Sequence, residues 1–368
     1  MNREQNANNM RQEAAQKEPM RPRTRNLLTL LALAIAALTV WVIVSQNRAF
    51  SWHDFMKMLR GAKPGWLAAA AGCMFLYIFS EAAAVATACR PFGPRIRMGR
   101  GLAYAASDIY FSAITPSATG GQPACAFFMM RDGISGMAST AALLANLAMY
   151  TLAIVVIGIL ILVCFPGVFL AFDLPMRLMV AIGLLIQIAL TGFYVLLIKN
   201  QRLLERICFG VLRLLTALHL LRHAERKRQK LQRRMDEYGQ CVLVLQGERR
   251  MLLRVFLLNL AQRTAHIAVT ACTALAAGAP PAAALRLWAI QGYAVLGSNF
   301  IPIPGAMGVA DYLMLRGFQV VLTAQAAASL ELLSRSISFY ICIIFCGILT
   351  FADYLLHKSP AAESRHAL

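Results

Sequence analysis

"TPSATGGQPACAFFMMRDG", residues Thr115–Gly133, opens with two prolines, two glycines and four hydroxyl or amide side chains in nine residues. It sits in a chain of 368 residues that is 59% apolar and only 14% charged, beyond the apolar share of a soluble domain. Such a chain is a polytopic membrane protein, yet proline and glycine at this density interrupt a helix. Irregular backbone inside hydrocarbon is tolerated only where protein or a wet cavity satisfies its polar groups. The stretch therefore lines something.

The segments on either side are short. Gly101–Thr115 is apolar but reaches only about 22 Å as a helix, and Gln122–Arg131 is shorter still. A bilayer core of about 30 Å needs about 20 residues, a length met by Leu27–Ser45, Pro64–Cys89, Gly136–Phe165, Met176–Ile198, Met251–Ala277 and Ala328–Tyr354. The two short arms are expected to dip in and return to one face, bringing Arg131 and Asp132 back to it. The order recurs after the turn Gly278–Pro281: a short arm Leu285–Phe300, the break "IPIPGAMGVAD" (Ile301–Asp311) and a second arm Val309–Thr323. The expected fold is an all-α polytopic membrane protein with about six full spans and two re-entrant (broken) helical hairpins in inverted orientation. In such repeats the substrate site lies near the midplane between the breaks. The two breaks share little beyond proline and glycine, so the repeat is one of length and order.

A net charge of +19 could point to nucleic acid, so its distribution decides. Residues 1–26 carry six Lys/Arg, residues 90–100 four arginines and no acid, and residues 199–250 thirteen Lys/Arg against five acids. These segments alternate along the chain as cytoplasmic loops do, which puts both termini in the cytoplasm and makes nucleic acid an unexpected partner. The chain divides into a cytoplasmic N-terminus (1–26), a first membrane half (27–198) with its hairpin at 101–131, a basic amphipathic loop (199–250), a second half (251–354) with its hairpin at 285–323, and a tail (355–368). Leu27–Ser45 is too long for a signal-peptide core and lacks a convincing cleavage site, so it reads as an uncleaved first span. Gln46–Lys63 reads as an amphipathic segment on the outer surface. In the basic loop, apolar residues from Leu203 to Leu221 recur at helical spacing opposite Arg202, Arg206 and Arg213. Residues 222–238 read as a charged helix whose basic run favours anionic lipid.

The nine cysteines are scattered, with no CxxC and no histidine at ligand spacing, so neither a disulfide nor a metal is expected. GxxxxGK[ST], GxSxG and HExxH are all missing; no catalytic residue and no cofactor is expected.

The candidate binding residues lie at the breaks. Ser117 or Thr119 can cap the returning arm, Pro123 suits its first turn, and Gly120 and Gly121 let backbone approach a ligand closely; with Gln122 they frame a helix start, whose free N–H groups favour an anion such as a phosphate. In the second break Pro302, Pro304, Gly305 and Gly308 precede another helix start, and Asp311 either caps it or faces the cavity to bind a cationic headgroup or a proton. Ionisable residues in apolar runs usually face a bundle interior, which makes Glu81, Asp108, Arg263, His266, Glu331 and Arg335 candidates. Asp108 ranks high beside the first break. Arg263 and His266 continue a polar stripe with Asn259 and Gln262 that either meets a lipid phosphate or ties helices together, and Glu331 and Arg335, four apart, are expected to pair.

"TPSATGGQP" (Thr115–Pro123), "MMRDGIS" (Met129–Ser135) and "NFIPIPGAMGVAD" (Asn299–Asp311) together resemble the lysylphosphatidylglycerol synthase transmembrane region, the flippase-like membrane domain of the multiple peptide resistance factor proteins. The resemblance covers roughly residues 25–355. The family's Ser-Ala-Thr-Gly-Gly-Gln-Pro lands unchanged on Ser117 to Pro123, and its Pro-x-Pro-Gly element on Pro302, Pro304 and Gly305. Where relatives commonly show Gly-Gly and a Glu this chain has Met307-Gly308 and Asp311, and where aromatic hydroxyls often follow the first motif it has Phe127 and Phe128. The resemblance implies a bacterial inner-membrane protein that moves an anionic or aminoacylated phospholipid between leaflets, a process tied to resistance to cationic peptides. Full-length relatives carry a soluble C-terminal transferase domain, and none is expected within these 368 residues. The rival expectations are a phosphatidylglycerol lysyltransferase and a scaffold for a separately encoded aminoacyl-lipid synthase; a homo-oligomer is the other protein partnership left open.

Overall fold

The computed structural model describes residues 52–93, 96–115, 118–217, 224–301 and 308–356. The expected first span Leu27–Ser45, the 1–26 tail and residues 357–368 lie outside them, as do residues 46–51 of the expected surface segment. Among the described residues all regular structure is helical. The order is α1 (Trp52–Gly61), α2 (Pro64–Ala88), α3 (Met98–Ile114), α4 (Gly121–Arg131), α5 (Gly136–Cys164), α6 (Pro166–Leu170), α7 (Leu174–Lys199), α8 (Gln201–Ala217), α9 (Ala224–Gly247), α10 (Arg249–Ala276), α11 (Pro281–Ser298), α12 (Val309–Phe318), α13 (Ala324–Arg335) and α14 (Cys342–Leu356). A π-helical turn, Ser336–Ile341, joins α13 to α14.

Local chemistry sets the boundaries. The Ser135 hydroxyl accepts from the Ala138 N–H (3.2 Å), and the Asp173 carboxylate from the Met176 N–H (3.0 Å), so α5 and α7 both begin on side-chain caps. Gly133 and Gly278 take positive φ (92° and 88°) in the turns that follow α4 and α10, a conformation open to glycine at little cost.

Four helical stretches are long and apolar enough to cross a membrane: Pro64–Phe92, Gly136–Cys164, Leu174–Lys199 and Ala324–Leu356. Helix α10, with 28 residues, has the length but not the apolarity. Its Asn259 and Gln262 are buried, and the helix makes its broadest contact with α2. The polar residues that lower its hydropathy are thus placed against protein rather than lipid.

Helices α3 and α4 form an antiparallel hairpin. The guanidinium of Arg100, in the first turn of α3, holds the Asp132 carboxylate just past the end of α4 through two bonds of 2.6 Å. Arg100 also pairs with Asp353 near the end of α14, and Tyr104 donates to Asp132, so the open end of the hairpin is fastened to the last helix. Helices α11 and α12 fold back in the same manner: Gly297 packs on Leu313, and Gly317 on Ile290.

One apolar core joins α5, α7, α10, α11 and α12 through Ile161, Val180, Ile267, Ile290, Leu313 and Phe318; a second joins α2, α3, α4, α5 and α10 around Val85, Tyr104, Phe128 and Val255. The second core also takes in α9, whose charged stretch runs on to Gly247 and buries Met235, Tyr238, Val242 and Leu245. The apolar helix expected over 203–221 is α8, described as far as Ala217.

Helices α7 and α11 come together at Gly183, where a Cβ would fall on the backbone oxygen of Leu296. Backbone cannot yield as a side-chain end can, so Gly183→Val is expected to cost about 1–3 kcal/mol, the range for an overpacked core. The check is a lower Tm of the purified protein in one detergent.

Candidate functional site

The two helical breaks share one cavity of about 700 Å³. Ala118, Thr119 and Gln122 line it from the first break; Ser298, Asn299, Phe300, Ile301, Ala310 and Met314 line it from the second. Its walls come from α2, α3, α5, α7, α10 and the π-helical turn, and combine polar side chains with apolar ones such as Ile109, Leu147, Ile186 and Leu190.

Its polar groups fall into three sets. Glu81 on α2, 4% exposed, accepts from Asn146 Nδ2 on α5 (3.0 Å) and from Gln262 Nε2 on α10 (2.7 Å). Asn259 Nδ2 in turn donates to Asn146 Oδ1 (2.9 Å), so the carboxylate rests on a three-helix amide network. Asp108 on α3 accepts from the Ser112 hydroxyl and from Gln122 Nε2, each at 3.2 Å, which joins the two arms of the first hairpin just below its tip. Arg263 on α10 donates to the Tyr150 hydroxyl and stacks on two rings, 4.3 Å from the Tyr150 centroid and 5.8 Å from that of Tyr77. Among the ion pairs of the described residues none includes Glu81, Asp108 or Arg263. Around these sets the buried Gln187 Oε1, Gln262 Oε1, Gln291 Oε1, Arg263 Nε and His266 Nδ1 lack hydrogen-bond partners, and all five side chains line the cavity. Buried polar atoms that stay unsatisfied are costly, so they mark where a ligand or water completes the site.

The structure places the sequence-derived candidates unevenly. Asp108, Thr119, Gln122 and Arg263 line the cavity, and His266 and Arg335 join them. Gly120 is the N-cap of α4 and donates its N–H to the Thr115 hydroxyl (2.8 Å), so the capping position falls one residue after Thr119. Gly121 lies where a Cβ would fall on the Asp108 carboxylate and the Ser112 hydroxyl, which explains a glycine there by close packing of the arms. Ser117, Pro302, Pro304 and Gly305 lie outside the described residues.

Asp311 stands off the lining. Its Oδ2 accepts from the Gly308 N–H (2.9 Å), which makes it the cap of α12, while Oδ1 takes Arg335 Nε at 2.5 Å. Arg335 is 3.9 Å from Glu331, so the pairing expected one helical turn away is the looser of its two. The sequence reading also passed over Tyr77, Asn146, Tyr150, Gln187 and Gln291. The signal available was that of uncharged polar residues within apolar spans, Asn146 and Gln187 above all, which need partners as charged ones do.

A multi-pass helical membrane protein, with a mainly apolar cavity that carries buried polar groups between two broken helical pairs, is the class that this fold and site define. Residues 29–346 match the family model described as the lysylphosphatidylglycerol synthase TM region, and the chain belongs to that family. No curated protein matches it. Membership links the protein to lysylphosphatidylglycerol-related function in the membrane.

Two substitutions test this geometry. Asp311→Asn keeps the size of the side chain but removes the charge facing Arg335; because Asp311 is 36% exposed, the expected loss is about 1 kcal/mol, read as a modestly lower Tm. Gly121→Ala drives a methyl into Asp108 and is expected to separate Gln122 from it, lowering lipid retention through purification more than Asp311→Asn does.

Proposed function

We propose that this protein is a flippase-like carrier that binds the headgroup of an anionic or aminoacylated phospholipid in the shared cavity and helps it cross the bilayer. The observation that carries the proposal is the convergence of both breaks on one half-open cavity whose buried polar atoms await partners. Arg263, backed by two tyrosine rings, offers a cation to the phosphate; Asp108, Glu81 and the amide oxygens offer acceptors to hydroxyl or ammonium groups. The apolar lining suits the acyl-proximal part of the same molecule. Arms of 17 and 11 residues, and of 18 and 10, are each short of a full crossing and fold back on themselves, which supports two re-entrant hairpins. The distribution of basic residues supports cytoplasmic termini in a bacterial inner membrane. Export of an aminoacylated lipid would make the outer surface less negative and weaken attraction of cationic peptides, the physiological role proposed here. Ser117, Thr119, Gly120, Gly121 and Gln122 of the first break, with Pro304 and Gly305 of the second, are proposed to frame the headgroup, and Asp311 to hold the second break in shape.

The test is translocation of tail-labelled lysylphosphatidylglycerol and phosphatidylglycerol in proteoliposomes. Exchange faster than in protein-free vesicles, falling at least tenfold for Arg263→Ala, is expected. Rates equal to those of empty vesicles would sink the proposal and favour a scaffold for a separate synthase, in which case co-purification would yield a protein partner.

A further inference from the structure

Of the two cavity carboxylates outside the ion pairs of the described residues, Glu81 is the more deeply buried. It is 4% exposed, lies at the junction of α2, α5 and α10, and is held by two neutral amides alone. The charged and titratable groups facing the same cavity are Tyr77 from α2, Asp108 from α3, Tyr150 from α5, Tyr194 from α7, Arg263 and His266 from α10, Arg335 from α13 and Cys342 from α14. Arg335 is committed to Asp311 and Glu331. Arg263 is directed onto Tyr150. The free charges of the described cavity are thus two carboxylates and one guanidinium, an arrangement short of one cation.

A buried carboxylate without a counterion is expensive, and two species can neutralise it: a proton, or a cationic group brought by a ligand. The amide network accommodates both. With Glu81 ionised, Gln262 Nε2 donates to it, as observed. With Glu81 neutral, a half-turn of the Gln262 amide presents Oε1, the buried acceptor that now lacks a partner, to the carboxylic O–H.

We infer that Glu81 is an exchange site, where a proton held in the empty cavity gives way to the primary ammonium of a bound headgroup. This inference rests on the lipid-carrier reading and names its coupling. In the exchange the carboxylic O–H bond of Glu81 breaks, the proton leaves to cavity water, and the carboxylate forms a charge-assisted hydrogen bond with the ammonium. One positive charge enters the site and one leaves, so lipid moving one way is tied to a proton moving the other.

The experiment has two arms. In the first, infrared difference spectra of the purified protein in detergent follow the carbonyl band of a neutral carboxylic acid as lipid is added. Lysylphosphatidylglycerol is expected to bleach a band present in the wild type and missing from Glu81→Gln. Phosphatidylethanolamine, which carries an ammonium without an aminoacyl group, shows whether the amine alone suffices; phosphatidylglycerol, which has none, is expected to leave the band in place. No band, no bleaching by either ammonium lipid, bleaching by phosphatidylglycerol, or the same band in Glu81→Gln would overturn the inference. In the second arm, proteoliposomes under a one-unit pH gradient at zero membrane potential are expected to accumulate labelled lysylphosphatidylglycerol up to about tenfold, the factor equivalent to one pH unit. Glu81→Gln is expected to abolish that accumulation, leaving a ratio no higher than about one. Wild-type transport that ignores the gradient overturns the exchange while leaving the carrier reading intact. No transport, with the band still bleached, removes the carrier reading and leaves only the binding competition.

Discussion

Glu81 accepts hydrogen bonds from Asn146 and Gln262 and so joins three helices at the centre of an apolar bundle. Much of the remaining architecture can be traced to the need to house that charge. Helix α10 carries enough polar residues that it would be a poor neighbour for lipid, and it is placed against α2, where its amides are of use. Arg263 follows from the same placement: one residue after Gln262, it turns into the cavity and finds rings instead of an acid.

The two hairpins are held by arginine–aspartate contacts at opposite ends of their length. The first is pinned at its open end, where Arg100 meets Asp132 and Asp353. The second is pinned close to its tip, where Arg335 meets Asp311. Both contacts run to the stretch from α13 through α14, so one continuous helical element fixes the two broken pairs around a common cavity. This division leaves the first tip to be held by hydrogen bonds other than ion pairs, among them Thr115 with Gly120 and Gln122 with Asp108.

Much of this was legible in the residues. The polar break at Thr115–Gly121 and the short apolar arms beside it announced a hairpin because length and composition are local properties, and the family motif lies in the same stretch. What stayed hidden depended on partners remote in the chain. Glu81 is 65 residues from Asn146 and 181 from Gln262, so nothing near it in sequence distinguishes a site residue from a structural one. Arg335 prefers Asp311, 24 residues away, over Glu331 on its own helix face, a choice set by how α12 packs and not by helical spacing. The buried end of α9 escaped for a different reason: its basic first half dominates the composition, while Tyr238, Val242 and Leu245 meet their neighbours only once α5 and α7 are assembled.

The π-helical turn at Ser336–Ile341 has a geometric effect on everything after it. Such a turn acts as a single extra residue in an α-helix, and each residue of an ideal helix advances the azimuth by about 100°. The faces of α13 and α14 are therefore out of phase: Arg335 looks toward the second hairpin, whereas Asp353 looks toward the first. In a regular helix Arg335 and Asp353, 18 residues or five ideal turns apart, would share one face; the extra residue sets them about 100° apart, so the irregularity is what allows a single rod to serve two differently oriented clients.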